Sequence, residues 1–231
     1  MQATNDSTHA TPKFWKTLYG MINIVPDENL ITSSLENYGE WAENELDLLS
    51  ELLQEGAVIV EMGSEYGVHA LCLSHTVGDS GEIHVLEADR MIHLQLCANI
   101  AINGLNNVYP HLTSNRKREL TLEDLDLNGF QLLKVNTPGK LLSILARDKE
   151  CLNKHKPYIY FRLSSPQQAR KEVEAIKALG YRCWSHIAYL YNPDNQADNP
   201  VDLFPGWAHQ NIIAVPVELE MEADFEHLRE I

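Results

Sequence analysis

Apolar runs of strand length alternate with stretches of helical period along most of this chain. Ala57-Val-Ile-Val-Glu61 is a short apolar run of the kind expected for a strand buried on both faces. A glycine-bearing turn follows it, and the spacing then predicts a helix from about Tyr66 to Val77. Glu82-Ile-His-Val-Leu86 reads as a second strand ending at Glu87, and Met91 to Asn103 as a second helix. Further strands are predicted at 107–111, 130–135, 157–163, 180–184 and 211–215, with helices near 141–148 and 167–179. Ahead of these, Met21 to Val25 fits a short strand closed by Pro26-Asp27. Gly39 to Leu53 fits a helix, because Trp41, Leu46, Leu49 and Leu53 recur at helical spacing and Glu40, Glu43 and Glu45 favour its first turns.

Strands alternating with helices imply right-handed crossovers and a mostly parallel sheet. No internal repeat or mid-chain linker interrupts the pattern, so one domain is expected over 18–231, with a lead-in at 18–55 and a core at 56–217. Residues 1–17 read as a flexible tail. The stretch Asn192 to Gln210, rich in Asn, Asp and Pro, is a long loop of the kind that usually serves a function.

Composition narrows the possible partners. Thirty-three acidic against 18 basic residues give a formal charge of −15, which repels phosphate backbones and anionic membranes. Arg116-Lys117-Arg118 is too short to reverse this. No nucleic-acid partner and no membrane span are expected, since no apolar run approaches the length a bilayer needs. Met1 to Thr11 is polar and lacks the apolar core of a secretory leader. Four scattered cysteines form no CxxC pair, and Cys72 and Cys97 sit in apolar helical patterns. A reducing cytoplasm fits this usage. The acids Glu123, Asp124 and Asp126 read as a solvated connector, and no His/Asp cluster has ligand spacing, so no metal is expected.

The candidate chemistry starts at Glu61-Met-Gly-Ser-Glu-Tyr-Gly67, where a strand ends and a helix begins. Gly63 permits a tight turn, and Gly67 permits close packing of the helix. Glu87 ends the next strand, 26 positions after Glu61. An acid about 20 residues beyond a glycine loop is the ribose contact of nucleotide sites. The spacing lacks both the dinucleotide fingerprint and the phosphate-loop lysine. It therefore suits a ligand with a ribose and a cation but no phosphate, a description that fits S-adenosylmethionine. The same residues also fit a tight turn with two solvent-facing acids, and spacing alone leaves both open.

Several runs, in order, resemble the FkbM family of S-adenosylmethionine-dependent methyltransferases. Tyr38-Gly-Glu-Trp-Ala-Glu-Asn-Glu-Leu46 is similar to that family's lead-in helix, and Val58 to His69 to its cofactor loop. Val85-Leu-Glu87 matches the second-strand acid. Cys97-Ala-Asn-Ile-Ala-Ile-Asn103 with Asn106-Asn-Val108, and Leu133-Lys-Val-Asn136 with Gly139, match later signatures. Asn192-Pro-Asp-Asn195, Phe204 and Asn211 resemble a C-terminal loop of one branch. The resemblance spans roughly 18–217. It implies a Rossmann-like class I methyltransferase fold: an α/β domain with a mostly parallel seven-stranded sheet and helices on both faces.

By this resemblance, Glu61, Gly63, Ser64, Glu65 and Gly67 would form the methionine side of an S-adenosylmethionine pocket, and Glu87 would hold the ribose. The chain also departs from the pattern. The loop Asn is Glu65, the strand Asp is Asn136, a Glu is Pro138, and another terminal Glu is Arg162. Glu65 would set a like charge beside the methionine carboxylate unless it turns away. His69, Asn136 and His209 are the candidate catalytic groups, with His186 a further histidine; His69 also suits helix packing, and His209 an exposed loop. Lys134 lies inside a buried strand pattern and could orient a substrate. The four tryptophans read as packing anchors, with Trp207 the best candidate platform. The leading expectation is O-methylation of a sugar or natural-product hydroxyl, with a small-molecule or saccharide acceptor. The alternative is a catalytically inactive relative that binds or assembles.

Overall fold

A computed structural model describes residues 13–24, 29–114, 120–219, 225 and 228–231. The N-terminal segment 1–12, Val25 to Glu28 and the basic run at 116–118 lie outside these residues. The first elements are β1 (Lys13–Thr17) and β2 (Gly20–Ile24), an antiparallel hairpin. Residues 13–17, expected in a tail, are therefore a paired strand. Two helices follow, α1 (Leu30–Tyr38) and α2 (Glu43–Leu52). The alternating core then runs β3 (Val58–Met62), α3 (Val68–Val77), β4 (Glu82–Glu87), α4 (Arg90–Asn103) and β5 (Val108–Leu112). It continues with β6 (Leu132–Val135), α5 (Leu141–Arg147), α6 (Lys149–His155), β7 (Tyr158–Arg162) and α7 (Pro166–Lys177). A hairpin of β8 (Tyr181–Tyr189) and β9 (Ala208–Pro216) and the short β10 (Arg229–Glu230) complete it.

The main sheet has the order β10-β8-β9-β7-β6-β3-β4-β5. Strands β3 to β7 are mutually parallel; β9 runs antiparallel to both β7 and β8. The eighth strand, beyond the seven expected, is β10, held at the edge by Arg182 bonding Glu230 twice at 2.9 Å. Alternation along each strand sends Ile59, Leu132 and Tyr160 to a core layer under α2, α3 and α4. Val60, Leu133 and Phe161 go to the layer under α5, α6 and α7. No helix among the described residues is long and apolar enough to cross a membrane.

Several boundaries differ from the sequence expectation: β8 runs past its expected end at Trp184 to Tyr189, β9 begins at Ala208, inside the expected loop, and α6 follows α5 where one helix was expected. Two further differences have identifiable local reasons. Gly39, expected to open a helix, closes α1 instead: it sits at φ 70° and its N–H donates to Leu35 O. Helix α1 escaped notice because Thr32 and Ser34 share its buried face, which blurs the apolar period. At the loop after β3, Glu65, Tyr66 and Gly67 are all left-handed, at φ 45°, 63° and 88°, so the helix starts at Val68 rather than Tyr66.

The asparagines of the α4 signature act on the hairpin. Asn99 and Asn103 each accept an N–H from β2 and return an amide to it, pairing with Asn23 and Met21 at 2.7–3.1 Å. Asn99 also donates to Tyr66 O at 2.9 Å, bracing the strained turn. A side chain on Gly20 would strike Asn103 Oδ1 at 2.2 Å, so the strand can approach this closely only with glycine there. The long loop, at 190–207, is pinned to the end of α1. Tyr38 O–H donates to Val201 O and accepts from Leu203 N, and Gln196 N–H donates to Glu40.

Candidate functional site

Pleat and register place Glu61, Lys134 and Arg162 on neighbouring strands β3, β6 and β7, at their carboxyl ends. All three point to the α2/α3 face, since Glu61 alternates with Ile59, Lys134 with Leu132 and Arg162 with Tyr160. Three charges there must find partners or remain at a cost of several kcal/mol each. Lys134 is wholly buried and its ammonium uses all three donors. They go to Glu61 at 3.3 Å, His69 Nδ1 at 2.7 Å and the Asn136 carbonyl. Because His69 Nδ1 accepts, its Nε2 carries the hydrogen and donates to Trp41 O at 3.1 Å. Burial and the Lys134 charge push the His69 pKa down to about 4, so the ring stays neutral. His69 has no exposed surface.

Arg162 bridges two carboxylates, Glu65 at 2.6 Å and Glu45 at 3.1 Å. Glu65 also accepts from Trp41 Nε1 at 3.0 Å. Burial raises the pKa of Glu65, but the charges of Arg162 and Lys134 outweigh it and hold that pKa at about 2. Glu45 is held well below its ordinary range despite complete burial, by Arg162, His209 and Lys134. Glu61, with burial dominant over its Lys134 contact, is raised, and its second oxygen has no partner. Asn136 donates to Glu61 at 2.7 Å and to Gly63 O at 2.8 Å. His209, at the start of β9, lies 2.6 Å from Glu45.

The opposite face of the same strand ends carries an open cleft walled by Met62, Gly63, Leu86, Glu87, Thr137 and Ile144. Gly63 sits at φ 87°, and a Cβ there would meet Thr137 Oγ1 at 2.6 Å. Glu87 is among the residues lining this cleft, at the end of β4, and is 7% exposed. One of its oxygens accepts from Ser64 N at 3.0 Å and Ser64 Oγ at 2.7 Å; the other accepts from Asp89 N at 2.8 Å.

The sequence-derived residues therefore divide. Gly63 and Glu87 line the cleft, and Ser64 clamps Glu87. Glu61, Glu65, His69 and Asn136 belong to the ion cluster behind it. Gly67 packs where a Cβ would meet Leu96 at 2.7 Å. Of the other histidines, His186 bonds Tyr160 at 2.8 Å in the interior. Trp207 is half exposed, whereas Trp41 and Trp184 are buried. Sequence reasoning passed over Glu45 as a site residue. Its signal was an acid at the same helical phase as Trp41 and Leu49, four positions either side. Among the described residues no three His, Cys, Asp or Glu side chains gather as a metal site.

Neither protein-family models nor curated protein sequences match this chain. Solved structures do match, at low identity. A SAM-dependent O-methyltransferase from Thermotoga maritima aligns with TM-score 0.59 and 18% identity, covering 91% of this chain and 79% of its own. A precorrin-6y C5,15-methyltransferase from Geobacter metallireducens aligns at 0.55 and 16%, covering 74% and 86%. Aeropyrum pernix fibrillarin, solved with natively bound S-adenosyl-L-methionine, aligns at 0.53 and 13%, covering 91% and 85%. The fold is the Rossmann-like fold of S-adenosylmethionine-dependent methyltransferases.

Proposed function

We propose that this protein is an S-adenosylmethionine-dependent methyltransferase of the FkbM kind that methylates a hydroxyl of a sugar or natural-product acceptor. The observation that carries the reading is Glu87, fixed at the carboxyl end of β4 and lining a cleft together with the Gly63 turn. Ligands of such sheets bind at this end. A carboxylate offers about four acceptor positions, and three are taken by Ser64 and Asp89, which leaves one for a ribose hydroxyl. The absent side chain of Gly63 lets Thr137 close against the turn, which sets the wall of the cleft. Glu65, the departure that would repel a methionine carboxylate, is turned into its bond with Arg162. Two departures from the family pattern thus neutralise each other.

The cofactor would supply an electrophilic methyl on a sulfonium. The chain's part is to hold the ribose through Glu87, to exclude water from the strand ends, and to take the acceptor's proton. Alignment of the acceptor oxygen can provide much of the rate. Of the three candidate groups we assign proton removal to His209. His69 and Asn136 instead hold Lys134 and the Gly63 turn in place.

A second reading, an inactive relative with a binding or assembly role, is favoured by one feature. The cluster of Glu45, Glu61, Glu65, Lys134 and Arg162 is internally paired at the strand ends where donor and acceptor would meet. Calorimetric titration with S-adenosylmethionine and S-adenosylhomocysteine separates the two. Binding that weakens about ten- to a hundredfold in Glu87→Ala, the loss of one charge-assisted hydrogen bond, supports the first reading. No binding by the wild type, with binding gained when Glu65→Asn and Arg162→Glu are combined, would replace it with the second.

A further inference from the structure

His209 is held more tightly than packing requires. Its Nδ1 lies 2.6 Å from Glu45 Oε1, and that oxygen also accepts from Arg162 at 3.1 Å and Asn211 at 3.3 Å. Glu45 is wholly buried on α2 and surrounded by cations, so it is an ionised acceptor. The contact is then a hydrogen bond only if His209 carries its hydrogen on Nδ1. In the neutral ring Nε2 is left with a free lone pair, and among the described residues nothing donates to it. Trp41 fixes the plane, with ring centroids 5.3 Å apart and the rings at 76°. The side chain keeps 14% of its surface open. His209 therefore combines a defined tautomer, a carboxylate behind it and access from solvent. His69 lacks the access, and both of its nitrogens are used.

We propose that Glu45 is a positioning residue that holds His209 as the Nδ1–H tautomer, so that Nε2 accepts the acceptor hydroxyl's proton during methyl transfer. The inference rests on the methyltransferase reading above and names its base and the residue behind it. In the step, the acceptor oxygen bonds the methyl carbon as the carbon–sulfur bond breaks, and that electron pair returns to sulfur. The hydroxyl proton passes to Nε2. The imidazolium so formed is stabilised by the Glu45 carboxylate and gives its proton to water on its open side. The arrangement is the carboxylate–histidine logic by which enzymes fix a base's tautomer.

The test uses the full chain labelled with ¹⁵N-histidine, in wild type, Glu45→Gln and His209→Gln, the last to assign the signal. Two-bond ¹⁵N–¹H spectra at pH 8 report which ring nitrogen is protonated. S-adenosylmethionine is titrated into the same samples. The expected result is a His209 signal with Nδ1 protonated and Nε2 bare, a pattern lost in Glu45→Gln while cofactor binding persists. A wild-type signal with Nε2 protonated overturns the proposal, as does an unchanged tautomer in Glu45→Gln. Should Glu45→Gln fail to fold, Glu45→Asp takes its place; it keeps the charge but draws it back, and the same loss of the Nδ1–H pattern is expected. An intact tautomer with no cofactor binding removes the methyltransferase reading, and the base's role with it, while leaving the Glu45–His209 pair standing.

Discussion

Replacing Arg162 by methionine would leave two buried carboxylates, Glu45 and Glu65, without their shared guanidinium. Both ion-pair partners of Arg162 are nearly or wholly inaccessible, with side-chain exposures of 1% and 12%. The hold on Glu65 shows in its pKa, which falls from an ordinary 4.5 to about 2 despite burial, with Arg162 the largest lowering influence. Removing one partner of a buried pair costs about 3–5 kcal/mol. We therefore expect Arg162→Met to lose about 3 kcal/mol at pH 7, read as a lowered urea midpoint at constant slope. The sign of the pH dependence follows from the depressed pKa. The wild type holds this stabilisation above about pH 4.5 and sheds it as pH falls towards 2. In the variant Glu65 would protonate at higher pH, so the gap between the two proteins should narrow steadily from pH 7 to pH 3. A midpoint within about 0.5 kcal/mol of wild type would refute the argument. A deficit that stays constant down to pH 3 would do the same, since that is the signature of lost packing rather than lost charge.

Glu43 gives the opposite sign: burial raises its pKa to about 7 beside the Tyr19 hydroxyl, so stability falls as pH rises from about 4.5 through 7. Glu43→Gln should gain about 1–2 kcal/mol at pH 8, after discounting for partial exposure, and almost nothing at pH 4; equal gains at both would sink the assignment. Asn103→Ala strips both the donor and the acceptor from Met21's backbone partner, so the Met21 amide should exchange with solvent at least tenfold faster while β6 amides are unmoved. Unchanged protection at Met21 would show that the hairpin is held by other contacts. Gly63→Ala forces a left-handed alanine and a 2.6 Å approach to Thr137, so thermal stability should drop, and Thr137→Ala should recover part of it. Full recovery would mean that the backbone at Gly63 is unstrained.

The alternation of strands and helices from 57 to 216 was legible in the sequence because each layer buries one face of a periodic element. Period 2 on Ile59/Val60 and period 3.6 on Leu46, Leu49 and Leu53 are written in residue order. So were the Gly63 turn and the acid Glu87 closing the next strand, because a tight turn and a strand-ending acid each show as particular residue types at the ends of adjacent strands. Of the hairpin only β2 was legible, as the strand at Met21 to Val25; its partner β1, α1 and β10 were not. Their stability comes from remote partners: Asn99 and Asn103 for the hairpin, through β2, Tyr38 and the 190–207 loop for α1, and Arg182 for β10. In the sequence Glu65, Asn136, Pro138 and Arg162 stand as separate departures, and Lys134 as a charge inside a buried strand pattern that could orient a substrate. Only the tertiary structure decided that Glu65 and Arg162 are partners 97 positions apart, and that Lys134 saturates its donors on Glu61, His69 and Asn136. Local periodicity states which face of an element is buried. It carries no information on which buried charge meets which, because that depends on strand order and register, and these are settled by packing the whole sheet.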